Sequence, residues 1–272
     1  MVASSKVRVA IGGLGAIGMA VARRLDQGID GLVLSAVSAR DRNAAVRRLI
    51  GFRNPPPVVT LETLSDMSEV VVECAPAAVF ERVAEPAIHA GRIFVSLSGG
   101  ALLSRPDLID LAKKTDARII VPTGALLGLD AVKAAAEGQI RAVRMITRKP
   151  PSGLQGAPFI VENGISLDNL DAPLKVFEGS ARDGVRGFPA NVNVAAALSL
   201  AGIGADKTAL EIWADPALTC NVHRIEVEAD SASFSLVIEN VPSEENPLTG
   251  RITALSVIAC LRELTSTFKV GT

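Results

Sequence analysis

Three glycines carry the first recognisable chemistry in the chain. The stretch Val9-Ala10-Ile11-Gly12-Gly13-Leu14-Gly15-Ala16-Ile17-Gly18 sets Gly13, Gly15 and Gly18 in a G-x-G-x-x-G spacing, between a short apolar run and an Ala-rich segment. In a loop that holds a dinucleotide, each glycine serves a different purpose. The first permits a tight turn, the second lets a pyrophosphate approach the backbone, and the third allows close helix-strand packing with the helix N-terminus facing the phosphates. The expected cradle is the backbone from Gly13 to Gly18, with Ala16 and Ile17 included. A glycine-rich turn without a ligand is the plainer alternative, and placement in the first strand-helix unit of an alternating chain favours the nucleotide.

The end of the second strand bears on which dinucleotide. A site for NAD usually has an acidic residue about 20 residues beyond the turn, bonded to the ribose 2′-hydroxyl. Here the chain reads Val37-Ser38-Ala39-Arg40-Asp41-Arg42. Ser38 and Arg40, with Arg42, suit a 2′-phosphate held by charge-assisted bonds, so NADP is expected to serve at least as well as NAD. Solvated arginines at a helix start, with Asp41 reaching the ribose, are the competing reading.

A group that titrates near neutrality suits proton transfer coupled to redox chemistry, and the chain has only two histidines, His89 and His223. His89 stands near the end of a predicted helix beside Gly91, a common place for a capping or solvated histidine. His223 lies in a strand pattern whose residues Asn221, His223, Ile225 and Val227 share the more apolar face, so its ring is expected to point inward. Taken alone, that pattern fits a satisfied core histidine as well as a catalytic one.

The elements that must position these residues follow from periodicity. Apolar runs at 7–11, 32–37, 70–74, 94–97 and 118–121 alternate with helical patterns at 16–25, 40–50, 79–90 and 106–115, which predicts a parallel sheet with helices on both faces. Past residue 125 the strands at 143–146, 174–178, 225–228 and 234–241 alternate polar and apolar, as an antiparallel sheet with one wet face requires. Segments 193–201 and 205–212 have helical composition, and 250–264 forms a final apolar helix. With 272 residues, and roughly 100–200 residues per domain, two domains are expected. These are a dinucleotide-binding domain over 1–124 completed by 246–272, and a second domain over 125–245.

Bulk composition excludes several classes. The 28 basic and 29 acidic residues are intermixed, which leaves no basic stripe for nucleic acid. Cys74, Cys220 and Cys260 are odd in number and far apart, so a reducing compartment and no structural metal are expected. Residues 10–22, behind Lys6 and Arg8, are apolar enough to suggest a signal peptide, but glycines 12, 13, 15 and 18 belong to the nucleotide turn, and no apolar run has membrane length.

Several ordered stretches together resemble the L-aspartate dehydrogenase family. They are Phe94-Val95-Ser96-Leu97-Ser98-Gly99-Gly100-Ala101-Leu102, Pro122-Thr123-Gly124-Ala125-Leu126-Leu127-Gly128-Leu129-Asp130, Thr147-Arg148-Lys149-Pro150-Pro151, Phe188-Pro189-Ala190-Asn191-Val192-Asn193-Val194-Ala195 and Asn221-Val222-His223-Arg224-Ile225. The resemblance implies an α/β chain, with a Rossmann dinucleotide-binding domain and a second α/β domain whose open, mainly antiparallel sheet serves substrate binding and subunit contact. It implies use of NAD or NADP to convert L-aspartate reversibly to iminoaspartate, hence oxaloacetate and ammonia, in NAD biosynthesis; a cytoplasmic location is expected from the cysteines, and a homodimer if the second sheet exposes an apolar face. His223 matches the family's catalytic histidine, which turns the balance at that position from core to catalysis. Ala125 and either Asn191 or Asn193 match its cofactor contacts; an N-cap role for Asn193 is the simpler alternative.

A dicarboxylate needs cations in its pocket, and Arg148, Lys149, Lys207, Arg224 and Arg251 are available. Lys149, ahead of two prolines, is the leading candidate, with Asn221 beside it; a solvated lysine at a strand end is the alternative. Dihydrodipicolinate reductase chemistry lacks its paired histidines here. Homoserine dehydrogenase, or a non-catalytic NADP-binding sensor, remains a competing assignment.

Overall fold

The computed structural model describes residues 6–189, 191–246 and 249–271. Ala190 of the motif stretch above, and residues 247, 248 and 272 of the final segment, lie outside them. The chain divides into two compact units, one running up to Pro122 and joined by Ala254–Lys269, the other formed by Thr123–Thr253 and the residues from Val270.

The first unit alternates strand and helix: β1 (Val7–Gly12), α1 (Ala16–Gln27), β2 (Leu32–Ser38), α2 (Arg42–Arg48), β3 (Val58–Val59), β4 (Val70–Glu73), α3 (Glu81–His89), β5 (Ile93–Ser96), α4 (Gly99–Leu103), α5 (Pro106–Thr115) and β6 (Arg118–Ile120). Among the described residues its sheet has six strands in the order β3-β2-β1-β4-β5-β6, every pair parallel. Apolar side chains cover both faces. Val9, Ile11, Met19, Leu25 and Val72 pack on one side, and Val71, Phe80, Val83, Phe94 and Leu108 on the other. This double burial is why β4 reads as an unbroken valine run rather than an alternating one. Because β1 is flanked by β2 and β4, strand order reverses beside it, and a doubly wound sheet opens its ligand crevice at the carboxyl ends of the strands at such a reversal.

The second unit contains α6 (Leu129–Ala136), β7 (Ile140–Lys149), α7 (Pro158–Glu162), β8 (Leu174–Ser180), α8 (Ala181–Gly187), α9 (Asn193–Ala201), β9 (Thr208–Ala214), β10 (Val222–Ala229) and β11 (Ser233–Glu239). Its sheet runs β11-β10-β7-β9-β8. It is antiparallel throughout except for the parallel pair β7-β9. Along β10, His223, Ile225, Val227 and Ala229 are buried while Arg224 and Glu228 are exposed, the period-two alternation of a sheet with one covered face.

The expected helix over 205–212 is a strand from Thr208 to Ala214. Ala209, Leu210 and Glu211 favour helix in isolation, but β9 is hydrogen-bonded on both sides, by β7 and β8, and pairing on a half-buried pleated surface overrides local propensity.

The last helix, α10 (Arg251–Glu263), returns to the first unit, where Val257 and Leu261 are fully buried with Val9, Leu25 and Val70. Thr265, just beyond it, donates its hydroxyl to the Asp30 carbonyl at 2.7 Å. Among the described residues no helix is long and apolar enough to cross a membrane, and no cluster of His, Cys, Asp and Glu could hold a metal ion.

Candidate active site

The glycine turn lies at the sheet's reversal. Gly13 has φ +101°, and a Cβ there would come within 2.6 Å of the Cys74 carbonyl oxygen. A Cβ on Gly18 would run into the Gly13 carbonyl, so only glycine lets α1 start this close to β1. Two backbone bonds fix the turn from either side: Gly13 N–H donates to the Ser38 carbonyl at 2.9 Å and Cys74 N–H to the Gly12 carbonyl at 2.8 Å. Gly15 is the N-cap of α1 and supplies no side-chain cap, which leaves the amides of the first helical turn, those of Ala16 and Ile17 among them, to an outside acceptor. A Cβ on Gly15 would meet nothing within 4 Å. An open, uncapped helix start with tightly packed glycines behind it fits a dinucleotide pyrophosphate.

At the end of β2, Ser38 is buried and Arg40 and Arg42 are exposed. Asp41 is committed to α2, whose N-terminus its carboxylate caps by accepting from Ala44 N–H at 2.8 Å. Arg48, from the last turn of α2, donates to the Leu14 carbonyl inside the glycine turn at 2.5 Å. The carboxyl end of β2 is therefore followed by exposed guanidinium groups, and the Asp41 carboxylate between them is engaged by α2.

In the second unit, β10 and β7 place His223 directly opposite Thr147, with Lys149 two residues further along the same face. His223 is 2% exposed, Thr147 1% and Lys149 5%. His223 Nδ1 is hydrogen-bonded to Thr147 Oγ1. Burial, and next the charge of Lys149, push the imidazole from its usual 6.5 down to about 3, so the ring is neutral. Burial lowers Lys149 from 10.5 to about 8. Among the described residues its ammonium has no hydrogen-bond or ion-pair partner, which rules out the solvated strand-end lysine.

The other cations are engaged or exposed. Arg148 points to the opposite face, where it meets Asp215 at 3.4 Å and lies 5.3 Å from the Trp213 ring centroid. Arg224 pairs with Glu226 at 2.9 Å, and Lys207 and Arg251 are exposed. His89 ends α3 at the surface.

Ala125 sits in the segment before α6, and its carbonyl accepts from Asn240 Nδ2 at 3.1 Å. The Asn240 backbone N–H in turn donates to the Asn221 carbonyl at 2.9 Å, so Asn240 ties the Ala125 segment to the start of β10. Asn191 follows α8, its N–H bonded to the Phe188 carbonyl at 2.9 Å. Asn193 is the first residue of α9 rather than its cap, which is Val192; the N-cap alternative therefore fails. Sequence reasoning passed over Thr147 and Asn240. The i, i+2 spacing of Thr147 and Lys149 was visible, but the β7-β10 register that brings Thr147 to the imidazole was not.

A doubly wound parallel sheet with a glycine turn at its reversal, joined to a sheet carrying a buried neutral imidazole and a buried ammonium, defines a nicotinamide-dinucleotide-dependent dehydrogenase. Residues 130–264 match the family model for the aspartate dehydrogenase C-terminal region, and residues 13–122 match that for the homoserine dehydrogenase NAD-binding domain. The chain is 58% identical to an L-aspartate dehydrogenase of Bradyrhizobium diazoefficiens, over 99% of this chain and 96% of that protein. It is 41% identical to one from Methanocella arvoryzae, over 97% and 99% respectively. It superposes on the crystal structure of aspartate dehydrogenase from Thermotoga maritima with a TM-score of 0.74 at 26% identity, covering 97% of this chain and 99% of that one. The chain belongs to the L-aspartate dehydrogenase family. Its likeness to a homoserine dehydrogenase structure from Thiobacillus denitrificans, at 13% identity and a TM-score of 0.61, extends to the fold alone.

Proposed function

We propose that the protein catalyses the reversible NAD(P)-dependent oxidative deamination of L-aspartate to iminoaspartate, which water converts to oxaloacetate and ammonia. The observation that carries this reading is the pair formed on one face of the β7-β10 ladder by a neutral buried imidazole and a buried ammonium that has no partner among the described residues. An isolated buried cation is costly, and a bound carboxylate offsets that cost. Lys149 therefore holds a substrate carboxylate, with Asn221 contributing beside it.

The bound dinucleotide supplies the hydride acceptor. With its Nδ1–H donating to Thr147, His223 presents the Nε2 lone pair to the substrate ammonium and removes a proton. The free amine's lone pair then forms the C=N bond as the Cα hydride departs. Once that proton has passed to solvent, the neutral His223 takes a proton from the water that adds to the imine carbon, and returns it to the departing ammonia. Substrate binding strengthens this base, because a carboxylate on Lys149 cancels the charge that helps hold the imidazole down.

Gly13, Gly15, Ala16, Ile17 and Gly18 hold the pyrophosphate. Ser38 and Arg40, supported by Arg42, take the ribose end, so that NADP serves at least as well as NAD. Ala125 with Asn191 or Asn193 contacts the nicotinamide. In this reading residues 1–124 with 246–272 form the dinucleotide domain, and 125–245 the substrate and oligomerisation domain of a cytoplasmic homodimer serving NAD biosynthesis. The test is His223→Ala: NADPH affinity is retained while kcat falls by on the order of 10²–10⁴. Near-normal turnover refutes the assignment. A kcat/KM panel over aspartate, homoserine, alanine and glutamate separates the proposed substrate from its relatives, and binding without turnover on any of them would leave a sensor.

A further inference from the structure

The sheet reversal holds a buried titratable side chain that the mechanism above does not use. Glu73 ends β4 directly opposite Gly12 of β1 and Ser96 of β5. It is 0% exposed, in a strand whose other residues are all valine. A carboxyl group in such a place is costly unless its bonds are met. They are met by two separate loops. Oε1 accepts from Ala75 N–H at 3.0 Å and from the Ser98 hydroxyl at 3.1 Å, and Oε2 accepts from Ser98 N–H at 3.0 Å. Ser98 stands at the N-cap of α4 yet makes no side-chain cap there; its hydroxyl is committed to Glu73 instead.

These loops are the ones that follow β4 and β5 at the carboxyl edge of the sheet. The loop after β4 is also the wall of the glycine turn, since the Cys74 carbonyl is the atom that a Cβ on Gly13 would strike, and Cys74 N–H is bonded to the Gly12 carbonyl. A displacement of Cys74 and Ala75 is thus passed to Gly13 through backbone contacts with no side chain between them to absorb it. Burial raises the Glu73 carboxyl to about 7, against the opposing pull of the Ser98, Leu97 and Ala75 donors. An apolar residue would fill the strand end without that desolvation penalty, so the carboxylate's return is the cross-link itself.

We propose that Glu73 is a positioning residue for the dinucleotide, clamping the loops after β4 and β5 together so that Cys74 braces the glycine turn in its pyrophosphate-accepting shape. The proposal rests on the reading of that turn as the dinucleotide site. The experiment is fluorescence titration of the purified full chain with NADPH and with NADH, alongside steady-state kinetics in aspartate. In E73Q, which keeps the size of the side chain but sets an amide N–H against the Ser98 N–H that Oε2 accepts from, Kd for the preferred dinucleotide rises about tenfold or more while KM for aspartate stays within twofold. S98A, which removes the hydroxyl donor from the other side, raises the same Kd, and the double variant is no weaker than the weaker single one, because both break one clamp. A dinucleotide Kd within twofold of the wild type in folded E73Q overturns the proposal, as does an equal loss of affinity for aspartate. If E73Q fails to fold, S98A decides by the same criteria. Wild-type protein that binds neither dinucleotide overturns both the parent reading and this one.

Discussion

Replacing Lys149 by methionine should make the protein more stable and less able to bind its substrate. Lys149 sits 5% exposed with no partner among the described residues, and burial moves it from its ordinary 10.5 to about 8. That gap corresponds to roughly 3 kcal/mol of folding free energy. The sign follows from proton uptake. Between the two values the unfolded chain holds a proton that the folded chain has lost, so wild-type stability rises with pH across this window. Below pH 8 the full penalty is present, and Lys149→Met, similar in length and apolar, removes it. The variant's advantage is therefore roughly 3 kcal/mol at pH 7, falls to about 1 kcal/mol at pH 9.5 and vanishes above the ordinary lysine value. Urea denaturation of the dinucleotide-free protein at pH 7 and pH 9.5 measures both points. At the same time KM for aspartate rises about 10- to 100-fold, the worth of one charge-assisted hydrogen bond. Equal stabilities at pH 7, or an advantage that does not shrink in alkali, would show that the ammonium is not desolvated in the way described.

Thr147→Val removes the only hydrogen bond made by His223 Nδ1 among the described residues, and kcat should drop by about tenfold, the equivalent of ~1.4 kcal/mol; an unchanged kcat would mean that the ring is oriented by packing alone. Gly18→Ala drives a methyl group into the Gly13 carbonyl and should abolish NADPH binding in equilibrium titration, whereas retained affinity would show that the turn relaxes freely. The double variant Arg40→Ser, Arg42→Ser should lower the NADPH/NADH ratio of kcat/KM by on the order of 10- to 100-fold through lost charge-assisted bonds, and a ratio unmoved by the change would place the 2′-phosphate elsewhere.

The legible parts of this molecule are those set by short-range rules. The glycine turn is one, because its demands, a positive φ at Gly13 and no Cβ at Gly18, are local. The inward side of β10 is another, since a period of two assigns His223 to the covered face whatever its neighbours are. Thr147 escaped notice because its partner is 76 residues away, and register between distant strands is not written in either one. The same reasoning explains β9, whose Ala-Leu-Glu core reads as helix until β7 and β8 claim it from both sides. Lys149 is legible only in part: a lysine ending a strand before two prolines suits a side chain held toward a cleft or one left in solvent, and only the burial of the end of β7 decides between them.

The return of α10 has a consequence for how the molecule is made. Val257 and Leu261 complete the core against which β1 packs, but a ribosome translating roughly 5–20 residues per second reaches them only after about 130 further residues have been added beyond the first segment of this unit. For many seconds the nascent sheet has one flank bare, while the later unit is synthesised in a single uninterrupted stretch. A premature stop before residue 257 would therefore do its damage at the opposite end of the gene product, leaving the nucleotide fold unsealed and prone to capture by chaperones.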